Sequence, residues 1–323
     1  MPRHLTRGIV LLAALAIAVA ALVVAWGDAP AVLSALSRFP PWLIVPVVLL
    51  TVWNYTLRYL RWNYYLHVLG VHGVTKIESA LVFFSGFAMG LTPGKSGEVT
   101  KSYWLREIVG PERAPLARTA PIVFAERLVD GIAMLLLATS GLISFQFGAL
   151  ALLGVAALAS VAVGLIQARP LVHAILNILE RRTKTEGLAK VLRTVYDSAR
   201  ELLTWPRMAL AVGIGIVSWA GECLALYVIL LGLGAQPSLV LLNQATFALA
   251  AGSLVGSASL LPGGIGAAEG TVAAVLDLVA GQPRDIAAAA TLLIRMCTLW
   301  FGVALGAASL LALARRLSRS SKT

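Results

Sequence analysis

The chain has 323 residues, of which 59% are hydrophobic and only 13% are charged, and its formal net charge is +11. A water-soluble domain of this size needs far more charge to cover its surface, so the composition excludes that class and predicts a membrane protein. The positive charge does not indicate a nucleic-acid partner, because the basic residues are distributed among the connections between apolar segments.

The first apolar segment, residues 8–26, contains no charged residue. It is long enough to cross a hydrocarbon core of about 30 Å, and longer than the apolar core of a signal peptide, so we interpret it as a retained span. Further apolar segments lie at about 41–60, 77–91, 117–139, 146–167, 208–232, 239–261, 266–280 and 286–314. The sequence therefore predicts an all-α integral membrane protein, a polytopic helical bundle.

Most of the 26 Lys and Arg residues lie near the two termini, after the second span, around 101–118 and in the polar stretch 168–207. Basic connections face the cytoplasm, so we expect a protein of the cell (inner) membrane with both termini cytoplasmic. With that orientation, the short segments 77–91 and 96–108 leave from and return to the cytoplasmic side. Segments 239–261 and 266–280 do the same from the other side. The pattern predicts two opposed re-entrant hairpins among six full spans.

The order of span, Pro-Gly hairpin and Arg-bearing span occurs twice in the chain. Arg127 and Arg295 are separated by nearly the same number of residues as the two Pro-Gly pairs. We therefore predict one transmembrane domain over 1–323 that contains an inverted-topology repeat, an arrangement typical of secondary transporters. Its parts are repeat A at about 41–139, a cytoplasmic amphipathic linker at about 168–207, and repeat B at about 208–314. A solvated linker is the alternative for the middle part.

The stretch "GLTPGKSG" at 90–97 resembles a phosphate-binding P-loop but is one residue too short for that motif. The second hairpin has Gly264-Ile265 where the first has Lys95-Ser96, so the Lys-Ser pair is not essential to the turn. Pro and Gly interrupt the helix at both tips. The predicted hairpin residues are Pro93, Gly94, Gly97, Pro262, Gly263, Gly264 and Gly266.

Arg127 and Arg295 lie near the middle of their predicted spans, where a charge costs at least about 2.5–3.5 kcal/mol unless it faces a partner or water. Two interpretations remain open: internal ion pairs that fix helix packing, such as Arg127 with Asp130 at i,i+3, or a basic site for an anionic head group. In the second, nearby glutamates hold the arginines or the hairpin backbones. The candidate substrate-binding residues are Lys95, Glu98, Glu126, Arg127, Asp130, Glu269 and Arg295.

Other polar residues favour structural roles. Lys95 is as well explained by snorkelling to the cytoplasmic surface. Arg58 and Arg61, interleaved with aromatic residues, indicate an interfacial anchor first and a lipid access site second. Asn54 and Glu222 are typical of interhelical hydrogen bonds. The four histidines and two cysteines show no metal-ligand or catalytic spacing, so we expect no metal and no cofactor.

The motifs "RYLRW", "GLTPGKSGEVTKSYWLRE", "ERLVDGIAMLLL" and "LLPGGIGAAEGTVAAVL", followed by Arg295, occur in this order. Together they resemble the lysylphosphatidylglycerol synthase transmembrane-region family, a flippase-like membrane domain. The resemblance implies a lipid translocator. It carries over the predicted hairpin residues and candidate substrate-binding residues named above, except Gly94 and Lys95. Because the chain ends at Thr323, shortly after the last apolar segment, we expect a stand-alone member without a fused transferase domain.

These observations predict a flippase that moves a polar or anionic lipid between leaflets through a midplane cavity. The expected partner is a membrane lipid, with a lipid-synthesis enzyme as a possible second partner. We do not expect an enzyme, although an intramembrane lipid-linked transferase remains an alternative. A scaffold subunit of a lipid-synthesis complex, with 168–207 as its docking surface, is another.

Overall fold

A computed structural model of the chain describes residues 3–92, 97–142, 168–180 and 186–320, together with Leu153, Ala157, Ser160 and Gly164. Apart from those four positions, the span predicted at 146–167 lies outside the described residues. Pro93, Gly94 and Lys95 lie outside them as well.

The described residues form α-helices joined by short turns, which confirms the all-α class. The helices are α1 (Arg3–Trp26), α2 (Ala29–Arg38), α3 (Ile44–Val68), α4 (Lys76–Met89), α5 (Thr100–Val109), α6 (Leu116–Thr119), α7 (Pro121–Leu142), α8 (Arg169–Glu180), α9 (Glu186–Leu202), α10 (Trp205–Gly232), α11 (Leu239–Ala258), α12 (Ala267–Leu278), α13 (Arg284–Arg295) and α14 (Phe301–Ser320). A π-helical segment, Met296–Trp300, joins α13 to α14. Short 3-10 turns lie at Pro41–Leu43 and Pro262–Gly264.

Helix starts follow local signals in the sequence. Thr75 caps α4, because its hydroxyl accepts the backbone N–H of Glu78 while the Glu78 carboxylate accepts the N–H of Thr75. Ser238 caps α11 by accepting the N–H of Leu241 at 3.0 Å. A proline stands in the first turn of α10, where its missing N–H costs no hydrogen bond.

Four helical segments of the described chain are long and apolar enough to cross a membrane: Pro41–Val68, Trp205–Gly232, Leu239–Ala258 and Arg284–Ser318. A fifth candidate span is the pair α1 and α2, which is bent by 99°. The protein is therefore a polytopic membrane protein. Length and composition do not separate spans from hairpin arms, since α11, predicted as a hairpin arm, is itself long enough to cross. The six spans and the re-entrant hairpins stay predictions.

Helix pairing connects the two halves of the chain. The central helices α3 and α10 pack along each other, α4 packs along α14, and α11 packs along α7. One buried cluster surrounds Trp62 and Tyr65 in the first half, and another surrounds Leu226 and Ile229 in the second. A two-fold exchange of the predicted repeats A and B would relate α3 to α10, and the helix pair α4–α14 to the helix pair α11–α7. The repeat and its opposed orientations stay predictions.

The described part of the linker is helical. Arg193 of α9 donates to Nδ1 of His173 and to Oδ1 of Asn177, both on α8, which joins these two helices. Helix α9 also packs on α6 and α7, and Leu202 at its end is fully buried. This end of the linker is part of the bundle, while its contact with the inner leaflet stays a prediction.

Candidate functional site

The tip of the second hairpin needs glycine for its backbone conformation. After α11 ends, Gly263, Gly264 and Gly266 have φ angles of 60°, 66° and 92°, in the region that residues with a Cβ rarely adopt. A Cβ on Gly264 would lie 3.0 Å from the Cα of Gly256. The P-G-G-x-G pattern thus specifies a tight turn packed against α11.

Arg295 and Glu269 fix this tip. The Nε of Arg295 donates to Oε1 of Glu269 at 2.6 Å, and its Nη2 donates to the carbonyl oxygen of Gly263 at 3.0 Å. The other oxygen of Glu269 accepts the N–H of Gly266 at 2.8 Å. Arg295 has no acid within one turn of its own helix, and the hairpin supplies its partner. This agrees with the expectation that glutamates hold the arginines.

The first hairpin has a corresponding arginine–glutamate pair. Gly97 donates its N–H to the hydroxyl of Thr92 at 2.6 Å, which closes the described part of the turn. The next residue, Glu98, is buried and accepts a hydrogen bond from Nη2 of Arg127. Each hairpin therefore contributes one carboxylate that binds the central arginine of a following helix.

The acids of α7 do not pair with Arg127 as predicted. Asp130 accepts Arg61 Nη2 at 2.6 Å and lies 3.5 Å from Arg58 Nη2, whereas Arg127 binds Glu98. The predicted i,i+3 pair of Arg127 and Asp130 is wrong because partners on other elements approach both groups more closely.

The interfacial-anchor interpretation of Arg58 and Arg61 is also wrong. Arg58 is only 9% exposed, and Arg61 is fully buried. Helix α3 continues to Val68, so both arginines lie inside the bundle rather than at the end of a span.

Glu126 faces a different partner. Its Oε2 accepts Nζ of Lys101 at 2.6 Å, and both side chains are 3% exposed. The Lys101 ammonium also lies 4.7 Å from the centre of the Trp62 ring, a cation–π contact. This cluster joins α5, α7 and α3 within the protein interior.

A cavity of about 370 Å³ lies between the two halves of the chain. Six of the predicted residues line it: Glu98, Arg127, Asp130, Gly263, Gly264 and Arg295. Neither Glu126 nor Glu269 is among the described lining residues. Glu269 accepts a hydrogen bond from Arg295, which does line the cavity. The cavity therefore brings Glu98, Gly263 and Gly264 together with charged residues of α7 and α13.

The cavity wall also contains polar residues that were not assigned to the site from the sequence, among them Arg58, Trp219 and Glu222. Arg58 lies between two aromatic rings, 5.5 Å from the centres of Phe87 and Trp219. A charged residue within an apolar segment was the available signal for Glu222. Within the described residues, no group of three or more His, Cys, Asp or Glu side chains has the geometry to hold a metal ion.

The fold and this cavity define an all-α polytopic membrane protein with charged groups inside its helical bundle. The family described as "Lysylphosphatidylglycerol synthase TM region" matches residues 12–306, and the chain belongs to this family. The resemblance predicted from the four motifs is thus confirmed.

Two curated relatives carry the description "UPF0104 membrane protein" and come from Methanothermobacter thermautotrophicus. One is 25% identical to this chain over 284 residues, which cover 82% of each protein. The other is 31% identical over 143 residues, which cover 42% of this chain and 41% of the relative. Both descriptions agree with a membrane protein and name no activity.

Proposed function

We propose that this protein is a lipid flippase that moves a lipid with a polar or anionic head group between the leaflets of the cytoplasmic membrane. The lipid head group enters the cavity while its acyl chains stay in the bilayer. Both termini lie in the cytoplasm, and the protein itself performs no chemical step. Family membership supports a lipid-related role, and the geometry of the cavity supports translocation.

The observation that carries this proposal is the composition of the cavity wall. Arg127 and Arg295 supply guanidinium groups, whereas Leu249, Leu254 and Leu299 supply apolar surface. A polar head group in hydrocarbon loses its hydration, and a cavity with charged donors replaces part of it. Its volume of about 370 Å³ is in the range of small-molecule sites and suits a head group rather than a whole lipid.

The two hairpins provide a basis for alternating exposure. One arginine–glutamate pair binds the described part of each hairpin, Arg127 with Glu98 and Arg295 with Glu269. A head-group phosphate competes with the carboxylates for the same guanidinium donors. Binding therefore loosens the contact between a tip and its arginine, which couples head-group occupancy to hairpin position.

The test is lipid exchange in proteoliposomes that contain the purified protein and a fluorescent phosphatidylglycerol analogue. We expect faster exchange between leaflets than in protein-free vesicles, and loss of this gain in the charge-neutral variant Glu98→Gln with Arg127→Gln. The control variant is Asp277→Asn with Arg284→Gln, which removes an ion pair outside the cavity wall.

Exchange no faster than in protein-free vesicles, for phosphatidylglycerol and for analogues with other head groups, would contradict the proposal. Mass spectrometry of the recovered lipids addresses the transferase alternative, since only a transferase changes the mass of the lipid.

A further inference from the structure

The cavity wall contains a second charged region, formed by Arg58, Trp219 and Glu222, apart from the two hairpin pairs. We infer that this region binds a zwitterionic head group, with the phosphate on Arg58 and the ammonium on Glu222. The inference rests on the proposed function and narrows its substrate class to lipids that carry a phosphate and an amine.

Arg58 is a guanidinium that is able to leave its present partner. Asp130 already receives a close hydrogen bond from Arg61, at 2.6 Å, and Arg58 adds only a longer contact of 3.5 Å. When Arg58 turns to a phosphate, Asp130 keeps Arg61 and is not left as an uncompensated buried charge. At Arg127 and Arg295 a phosphate instead has to compete with the glutamate that is the close partner of each arginine.

Two buried N–H groups in this region, one of them on Arg58 itself, have no acceptor within the described structure. The Nε of Arg58 is buried and has no hydrogen-bond partner, and the same is true of Nε1 of Trp219. Both residues line the cavity, and the Arg58 guanidinium lies 5.5 Å from the Trp219 ring. Buried N–H groups without acceptors cost about 1–3 kcal/mol each, so an acceptor such as phosphate is favoured here.

The carboxylate for the ammonium is close to these donors. Glu222 follows Trp219 by three residues on α10, so the two side chains are neighbours on one helix face, and both line the cavity. Glu222 is 6% exposed. A cation and an anion on adjacent parts of the wall match a head group whose phosphate and amine are separated by a short linker.

Charge balance favours the same class of ligand. The described lining residues contain equal numbers of guanidiniums and carboxylates: Arg58, Arg127 and Arg295 against Glu98, Asp130 and Glu222. An anionic head group adds an uncompensated charge to a wall that is already balanced, whereas a zwitterion adds none. A neutral sugar also preserves the balance, but it brings no charged group to Arg58 or Glu222.

The experiment is native mass spectrometry of the purified full chain with an equimolar mixture of three lipids with the same acyl chains. These are phosphatidylethanolamine, phosphatidylglycerol and monoglucosyl diacylglycerol. We expect phosphatidylethanolamine to be retained most. In Glu222→Gln its preference over phosphatidylglycerol falls about tenfold, the loss expected for one charge-assisted hydrogen bond. Arg58→Gln lowers retention of both phospholipids, and Asp277→Asn, the same type of change outside the cavity wall, leaves the wild-type order unchanged.

Preferential retention of phosphatidylglycerol or of the glucolipid by the wild type overturns the inference, whether or not the variants fold. An unchanged ratio in a folded Glu222→Gln variant also overturns it. The outcome is independent of transport. Selective retention of phosphatidylethanolamine without lipid exchange between leaflets would refute the flippase proposal but support the binding site. Lipid exchange without selective retention would support the flippase proposal but refute the binding site.

Discussion

Replacing Arg295 by methionine leaves the Glu269 carboxylate without its cation inside the protein. The two side chains are 17% and 8% exposed, and the distance between Nε and Oε1 is 2.6 Å. Breaking a buried pair by removing one partner costs about 3–5 kcal/mol. Because Arg295 is not completely buried, we expect Arg295→Met to lower the free energy of unfolding by about 3 kcal/mol, the lower end of that range.

The double variant Glu269→Gln with Arg295→Met removes both charges. The lost hydrogen bond from Arg295 to the Gly263 carbonyl still costs about 1 kcal/mol, but no unpaired carboxylate remains. We therefore expect a coupling energy of at least about 2 kcal/mol between the two sites, the difference between Arg295→Met and the double variant, to which any cost of Glu269→Gln alone is added. Equilibrium unfolding in mixed micelles, followed by circular dichroism for the wild type, both single variants and the double variant, gives this value.

The matched control is the pair of Asp277 and Arg284, where the Nε–Oδ2 distance is 3.2 Å and the Arg284 side chain is 64% exposed. An exposed pair of this kind contributes about 0–1 kcal/mol, so its coupling energy should be below that of the cavity pair. Equal coupling energies for the two pairs would refute the reasoning, because they would show that the cavity pair is as well solvated as a surface pair.

Two further predictions concern the hairpins. Gly264→Ala places a Cβ at a φ of +66° and 3.0 Å from Gly256, so we expect the free energy of unfolding to fall by about 1–3 kcal/mol in the same assay. The control is Gly270→Ala, whose Cβ lies in open space and which should be neutral or slightly stabilising. Lys101→Met destabilises the fold by stranding Glu126, but the neutral pair Lys101→Met with Glu126→Gln should keep lipid exchange within about twofold of wild type, since neither group lines the cavity. Loss of exchange in that folded double variant would instead place Glu126 in the substrate path.

Helix positions were the most predictable part of the fold. The segment predicted at 208–232 is found as Trp205–Gly232, and the arms predicted at 239–261 and 266–280 are found as Leu239–Ala258 and Ala267–Leu278. Apolar runs and helix breakers are local properties, so their positions follow from the sequence. The glycines of the second tip were predictable for the same reason.

The partners of the charged residues were not predictable, because they depend on which elements meet in space. Arg127 had two acids within reach on its own helix, yet it binds Glu98, which is 29 residues away in the chain. Because Arg58 and Arg61 interrupt the apolar run of α3, the span was predicted to end at about residue 60, whereas α3 continues to Val68. Their partner, Asp130, lies on α7, and no local pattern identifies it.

Helix α7 shows how charged residues are accommodated inside this bundle. It carries three of them, Glu126, Arg127 and Asp130, and it is not among the four candidate spans. Each charge is compensated from another element: Glu126 by Lys101 of α5, Arg127 by the hairpin residue Glu98, and Asp130 by arginines of α3. Because buried charges are tolerated only when they are paired, α7 is stable in the bundle only together with the first hairpin and α3. Glu126 and Arg127 therefore hold α5 and Glu98 against α7, and Asp130 holds α3 there.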